Sequence, residues 1–244
     1  ILPYEEDRNY ESEHSFAEQA KKVIIIPDNR SLDYQRLNNM SRYPNRELDG
    51  SNNRDLLENT TNETLKNWLI NRIAAQGIPE DLTESEKFNI NKMKTTFSLV
   101  DSKVKFKKAN LRSFEVLLDD NNNEVFLEFE STGYKNVLFI VLGIIEEIEF
   151  RFENMKIVDF DGIILIAELD LHLHPAWQNK IIDILSEMFP KAQFIMPTHS
   201  PAVLQSLDSQ EIIPLYLIDG NVEVKTLKLS KYGLKGWTLE EILS

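Results

Sequence analysis

The residues best placed to do chemistry are Glu168 and His199. Four consecutive β-formers, Ile163 to Ile166, read as a strand buried on both faces, and Ala167-Glu168 ends it. A second apolar strand, Gln193 to Met196, ends the same way at Thr198-His199. Open α/β sheets bind ligands just beyond the carboxyl ends of their strands. A carboxylate there can position a water or meet a metal, and two adjacent strands would bring Glu168 and His199 to one rim. Three other groups deserve a role. Asp170, His172 and His174 follow Glu168 at alternate positions, and His-x-His with a nearby acid invites a zinc reading, although no further ligand is in sight. Ser131 and Gly133 open a long apolar helix. A hydroxyl, an amide and the positive end of the helix dipole can together hold a phosphate, while the same residues also serve as an ordinary cap. Arg30 follows another strand signal, Val23-Ile-Ile-Ile-Pro27, and can reach a phosphate or stand as a solvated turn arginine.

The elements that must position these residues are legible in outline. A polar, acidic start leads into a short helix, Ser15 to Lys22, and then the strand ending at Pro27. Residues 38–60 are rich in Asn, Arg, Ser and Asp without a period and read as a mobile loop. Leu65, Trp68, Leu69 and Ile73 share a helical face, and Gly77 and Pro79 end that helix. Thr83 with Glu86 makes a capping box before a second helix, whose Ile90, Met93 and Phe97 share a face. Phe114–Leu118 and Val125–Phe129 flank the polar turn Asp119–Asn123 as a hairpin, and a long apolar helix runs on to about Phe152. After Pro175 an amphipathic helix turns Ile181, Ile182, Leu185 and Phe189 inward and stops at Pro190. A short helix after Pro201, a hairpin of Ile212–Ile218 with Val222–Leu227, and a helix start at 236–243 complete the chain. The organisation expected is a partial N-terminal segment with its loop over 1–60, a helical insertion over 61–110, and an α/β lobe over 111–244.

Composition narrows the function. The chain has 244 residues, 42% hydrophobic and 27% charged, which is globular. Its net charge of −13 argues against whole-surface attraction for nucleic acid, so any DNA or RNA contact must be a local patch. The longest apolar run, Val137 to Ile145, is too short to span a membrane, and no secretory signal is visible. The absence of cysteine excludes disulfides and thiolate metal sites and fits a cytoplasmic chain.

The runs Ile-Leu-Ile-Ala-Glu-Leu-Asp-Leu-His-Leu-His-Pro-Ala-Trp-Gln and Thr-His-Ser-Pro-Ala-Val-Leu resemble Walker B, the D-loop and the switch histidine of an ABC-type ATPase head of the SMC and RecF kind. The resemblance is nearer to bacterial anti-phage ATPases of the Septu PtuA and retron-linked kind. It covers residues 100–244 well and the first hundred only in general character. It implies an α/β fold with a mostly parallel sheet of the P-loop NTPase type, a helical insertion and antiparallel hairpins. It implies that Glu168 orients the attacking water and that His199 contacts the terminal phosphate. Ser131 and Gly133 would form the signature segment that meets the γ-phosphate in the partner subunit, and His174 would lie in a D-loop at the dimer interface. That interface role is preferred to zinc for His172 and His174. ATP and Mg2+ are the implied ligands, a homodimer or higher oligomer the implied assembly, and an HNH-type nuclease, or DNA itself, the implied partner.

Departures from the pattern matter as much. The family has Asp, the magnesium ligand, where this chain has Ala167, so a metal would be rerouted through Glu168 or Asp170. Glu130-Ser-Thr-Gly-Tyr-Lys departs from the usual signature. None of the eight glycines belongs to a Gly-x-x-x-x-Gly-Lys loop, and the chain starts at Ile1. A preceding lobe carrying the Walker A loop is therefore expected outside these residues, and ATP and Mg2+ binding are expected only with it. Two alternatives follow: a catalytically silent ATPase-like scaffold for a nuclease partner, or a metal-dependent nuclease of the overcoming-lysogenization-defect kind using Glu168, Asp170 and the histidines.

Overall fold

The computed structural model describes residues 19–28, 30, 32–40, 62–171, 173–224 and 234. Its centre is a three-stranded parallel sheet of β1 (Val23–Ile26), β5 (Ile163–Ile166) and β6 (Gln193–Ile195), with β5 in the middle. Val23 pairs with Ile163 and Ile26 with Ile166; Ile163 pairs with Gln193 and Leu165 with Ile195. Apolar residues at every position let one face close completely: Ile24, Ile26, Ile164 and Ile166 are buried. The other face, with Val23, Ile25, Ile163 and Leu165, is only half-buried, and Ile195 is 50% exposed. The expectation of a strand buried on both faces is thus met on one.

Between β1 and β5 the chain forms α1 (Asn62–Ala75), α2 (Glu84–Val100), a three-stranded antiparallel sheet and α3 (Thr132–Arg151). The sheet runs β2 (Val104–Asn110), β3 (Glu115–Asp120), β4 (Asn123–Phe126) in order. Thr83 caps α2 through the reciprocal bonds with Glu86 that its sequence announces, and Ile90, Met93 and Phe97 are buried. Strand β2 falls inside the stretch expected to be helical insertion. Its lysines at 105, 107 and 108 hide the alternation, and a register shift between Phe106 and Lys108 breaks it further. The β3–β4 turn is tighter than expected, two residues rather than five. Asn121 and Asn122 take φ of 49° and 68°, the left-handed pair that suits a tight hairpin. Strand β4 ends at Phe126, and Leu127–Phe129 coils into a 3-10 turn instead of extending the strand.

Helix α3 organises the lobe. Every residue from Asn136 to Ile148 is buried, as expected of a helix apolar on all sides. It packs against α1, α2, β1 and α4 (Pro175–Met188). At its end Arg151 pairs with Glu147 at 2.8 Å and donates to the carbonyls of Lys21 and Val23, pinning the helix to the entry of β1. A second buried ionic group fastens α1 to the antiparallel sheet. Lys66 lies 2.8 Å from Glu115 and 2.5 Å from Glu128, and donates to the Gln35 carbonyl. After β6 come the short α5 (Pro201–Gln205) and the hairpin β7 (Leu215–Ile218) with β8 (Asn221–Val224). Leu215, Leu217, Val222 and Val224 of that hairpin are 66–77% exposed. The strand expected from Ile212 starts three residues later, and the expected extension to Leu227 lies outside the described residues, as do the 41–60 loop, the region before Gln19 and the 236–243 helix. No described helix is long and apolar enough to cross a membrane.

Gly162 sits where all three central strands begin. Its carbonyl accepts from the Gln193 amide at 2.9 Å, and the next amide, Ile163, donates to Lys22 at 2.8 Å. A Cβ here would stand 2.2 Å from the Lys22 carbonyl oxygen and 2.4 Å from the Phe160 ring. Backbone cannot yield as a side chain can, so Gly162→Ala is expected to destabilise by about 3 kcal/mol, measured by urea unfolding.

Candidate functional site

Three parallel strands deliver three loops to one edge. The β1–β5 ladder continues one step past the strands, where the Ala167 amide donates to Ile26 at 3.0 Å. The chain then turns sharply. Glu168 takes φ of 43°, a left-handed conformation that disfavours any side chain with a Cβ by roughly 1–2 kcal/mol. Its carbonyl accepts from the Leu171 amide at 3.0 Å and from Arg30 Nη2 at 2.5 Å. The turn leaves the Glu168 side chain exposed while Leu169 is wholly buried as its anchor.

The loop after β6 is joined to this turn: Thr198 Oγ1 donates to Asp170 Oδ1 at 2.6 Å. Thr198 Oγ1 also accepts from the Ser200 amide at 3.0 Å, which fixes the turn that carries His199. His199 itself is exposed. Ser200 Oγ donates to Gln178 Oε1 at 2.7 Å, and Gln178 Nε2 donates to the Leu173 carbonyl at 2.9 Å and to that of Asp170 at 3.4 Å. The loops after β5 and β6 and the first turns of α4 are therefore one hydrogen-bonded unit, with Glu168 and His199 on its solvent side. Thr198 and Gln178 both lay inside the runs that pointed to this edge. Their roles were not assigned because a tie between two loops leaves no trace in local spacing.

Arg30 is buried, 5% exposed, which sets aside a solvated turn. Burial lowers its pKa, while Asp28, Glu168 and Asp170 oppose that shift. His174 is exposed and caps α4, its Nδ1 accepting from the Ala176 amide at 3.3 Å. His172 lies outside the described residues.

The second cluster is the start of α3. Ser131 is its N-cap and accepts from the Tyr134 amide at 3.4 Å, so its hydroxyl is already engaged in capping. Gly133 has a packing reason: a Cβ there would stand 2.9 Å from the Trp177 ring. Tyr134 meets the same ring edge-on, with centroids 6.2 Å apart. Trp177 lies one turn after His174, so it draws the starts of α3 and α4 together. That puts Ser131, Gly133 and His174 on adjoining surfaces, a proximity that spacing along the chain does not reveal.

Burial, with Asp120 and Asp101 nearby, pushes the Glu130 carboxyl above its ordinary value. Among the described residues no group of three His, Asp or Glu side chains is arranged to hold a metal. Ala167 offers no ligand atom, and one Asp170 oxygen is taken by Thr198. What remains suits a Mg2+ held mainly by phosphate oxygens and waters with one or two carboxylates, Glu168 and Asp170, and not an all-protein cage.

A profile of the AAA ATPase domain family matches residues 4–204. The chain is 37% identical to Septu protein PtuA of Bacillus thuringiensis over 97% of its length and 62% of that protein. It is 30% identical to the retron Ec83 probable ATPase of Escherichia coli over 91% of its length and 42% of that protein. It thus spans less than two thirds of either relative. Among solved structures one from a study of SMC ATPases aligns at a TM-score of 0.44 and 19% identity, covering 59% of this chain and 86% of that one.

A carboxyl whose folded pKa is raised costs stability that appears as pH climbs above the unfolded value and is absent below it. Glu130→Gln is therefore expected to stabilise the protein near neutral pH, with the gain fading as pH falls towards about 4.5, its ordinary value, and gone below it. Urea midpoints of both proteins across that range provide the measurement.

Proposed function

Because this chain belongs to the AAA ATPase domain family, we propose that it forms the distal part of an ATP-hydrolysing head that closes around nucleotide as a dimer. What supports the reading is the hydrogen-bonded tie between the loops after β5 and β6, which carry the exposed residues Glu168 and His199. Glu168 would accept a hydrogen bond from the attacking water and orient it in line with the terminal phosphoryl group. His199 would donate to an oxygen of that group as charge develops there. Ser131 and the Gly133 amide, at the positive end of a 20-residue helix, would meet the phosphate held by the partner subunit, and His174 would reach across the same interface. Mg2+, when bound with the nucleotide, neutralises charge on the phosphate oxygens.

This reading needs a phosphate-cradling loop that the 244 residues do not contain. We assign it to a further segment of the protein, consistent with relatives longer than this chain. The half-open face of the central sheet suits such a lobe, since parallel sheets are normally covered on both sides. Opening and closing of the dimer would then control a partner effector, an HNH-type nuclease or DNA, in cytoplasmic anti-phage defence. The Septu and retron names of two relatives support that setting.

Ala167 favours a second reading, a silent scaffold that keeps the head shape without turnover. The deciding experiment is steady-state ATP hydrolysis by the protein joined to its phosphate loop, with and without Ala167→Asp. The enzyme reading expects Mg2+-dependent turnover that rises about tenfold or more in the variant as a carboxylate ligand is supplied. No turnover in either protein contradicts it and leaves the scaffold.

A further inference from the structure

The Glu168 turn holds a charged side chain outward only while its backbone stays in the left-handed region, and one buried group is aimed at that backbone. Arg30, 5% exposed at the end of β1, sends Nη2 to the Glu168 carbonyl at 2.5 Å. The Leu171 amide, which closes the turn, uses the same oxygen at 3.0 Å. Arg30 Nη1 is buried and has no partner. A buried guanidinium is costly to hold unless its surroundings offset the cost. Here Asp28, Glu168 and Asp170 supply negative charge around it, and a fixed carbonyl receives its donor. The strand order makes this reach feasible, because β1 lies directly beside β5.

We propose that Arg30 is a positioning residue, which locks the turn after β5 through the Glu168 carbonyl and so fixes where the Glu168 carboxylate points. The proposal rests on Glu168 being the water-orienting carboxylate only for its kinetic consequence; the lock itself is a property of the backbone. In this role Arg30 acts through the backbone of the turn. Its planar fork suits a fixed carbonyl, and a lysine at 30 provides a donor of different reach and shape.

The test uses Arg30→Lys and Arg30→Gln in the full-length protein, with amide hydrogen exchange and ATP hydrolysis as readouts. Exchange at Glu168–Leu171 is expected to quicken about tenfold or more in Arg30→Gln, with Ile163–Ile166 unchanged and Arg30→Lys intermediate. Turnover is expected to follow the same order, kcat falling about ten- to a hundredfold while KM stays within about twofold. Unchanged exchange at Glu168–Leu171 overturns the proposal. So does faster exchange spread evenly over β1 and β5, which marks a general packing role. A raised KM with kcat kept, and the turn still protected, assigns Arg30 to the nucleotide instead. If the unmodified protein hydrolyses no ATP, the ATPase reading fails, and the exchange pattern alone still decides whether Arg30 locks the turn.

Discussion

The bond from the Thr198 hydroxyl to the Asp170 carboxylate, 2.6 Å long, fastens the loop after β6 to the loop after β5. Without it, the loops after β5 and β6 would lose their direct side-chain tie. With it, the two loops share a register already set by Ile163 against Gln193 and Leu165 against Ile195. The tie extends through Ser200 and Gln178 into α4, so helix and both loops share one hydrogen-bonded network. Pre-organisation of this kind is what lets a few polar groups act on a transition state without reorganising at the moment of reaction.

The core below that edge explains why it can be held still. Helix α3 is buried along most of its length and packs against α1, α2, β1 and α4. Its C-terminal end is pinned to the entry of β1 by Arg151, and its N-terminal end is drawn to α4 by Trp177 against Gly133 and Tyr134. The two candidate clusters, strand ends and helix start, are therefore both tied to the first turns of α4, one through Gln178 and the other through Trp177. The Lys66 group plays a different part. Its paired charges hold α1 against the antiparallel sheet.

Much of the central sheet was legible because Val23–Ile26 and Ile163–Ile166 are uninterrupted β-formers closed by a proline and an acid. The Thr83–Glu86 box and the Pro175 helix start were equally plain, since capping chemistry is local. Strand β2 was not legible, because Lys105, Lys107 and Lys108 obscure the period by which strands are recognised. The burial of Arg30 was also hidden: nothing in Asp28-Asn-Arg30 says that a neighbouring strand 138 positions away offers a carbonyl to it. Ser131 and Gly133 were noticed for a phosphate, yet the structure gives each a role in the fold as well, one as cap and one as the floor for Trp177. Long-range partners decide such matters, and spacing along the chain does not encode them.

The central claim is that Glu168 and His199 act as one unit on one terminal phosphoryl group. A double-mutant cycle on the ATP turnover number of the full-length protein, using Glu168→Gln, His199→Ala and the pair together, measures this most directly. Groups that act as a unit are strongly non-additive, so the double variant is predicted to be about as slow as the slower single variant, within roughly twofold. Losses that multiply would mean that the two side chains work independently, and the account built on their shared edge would be wrong.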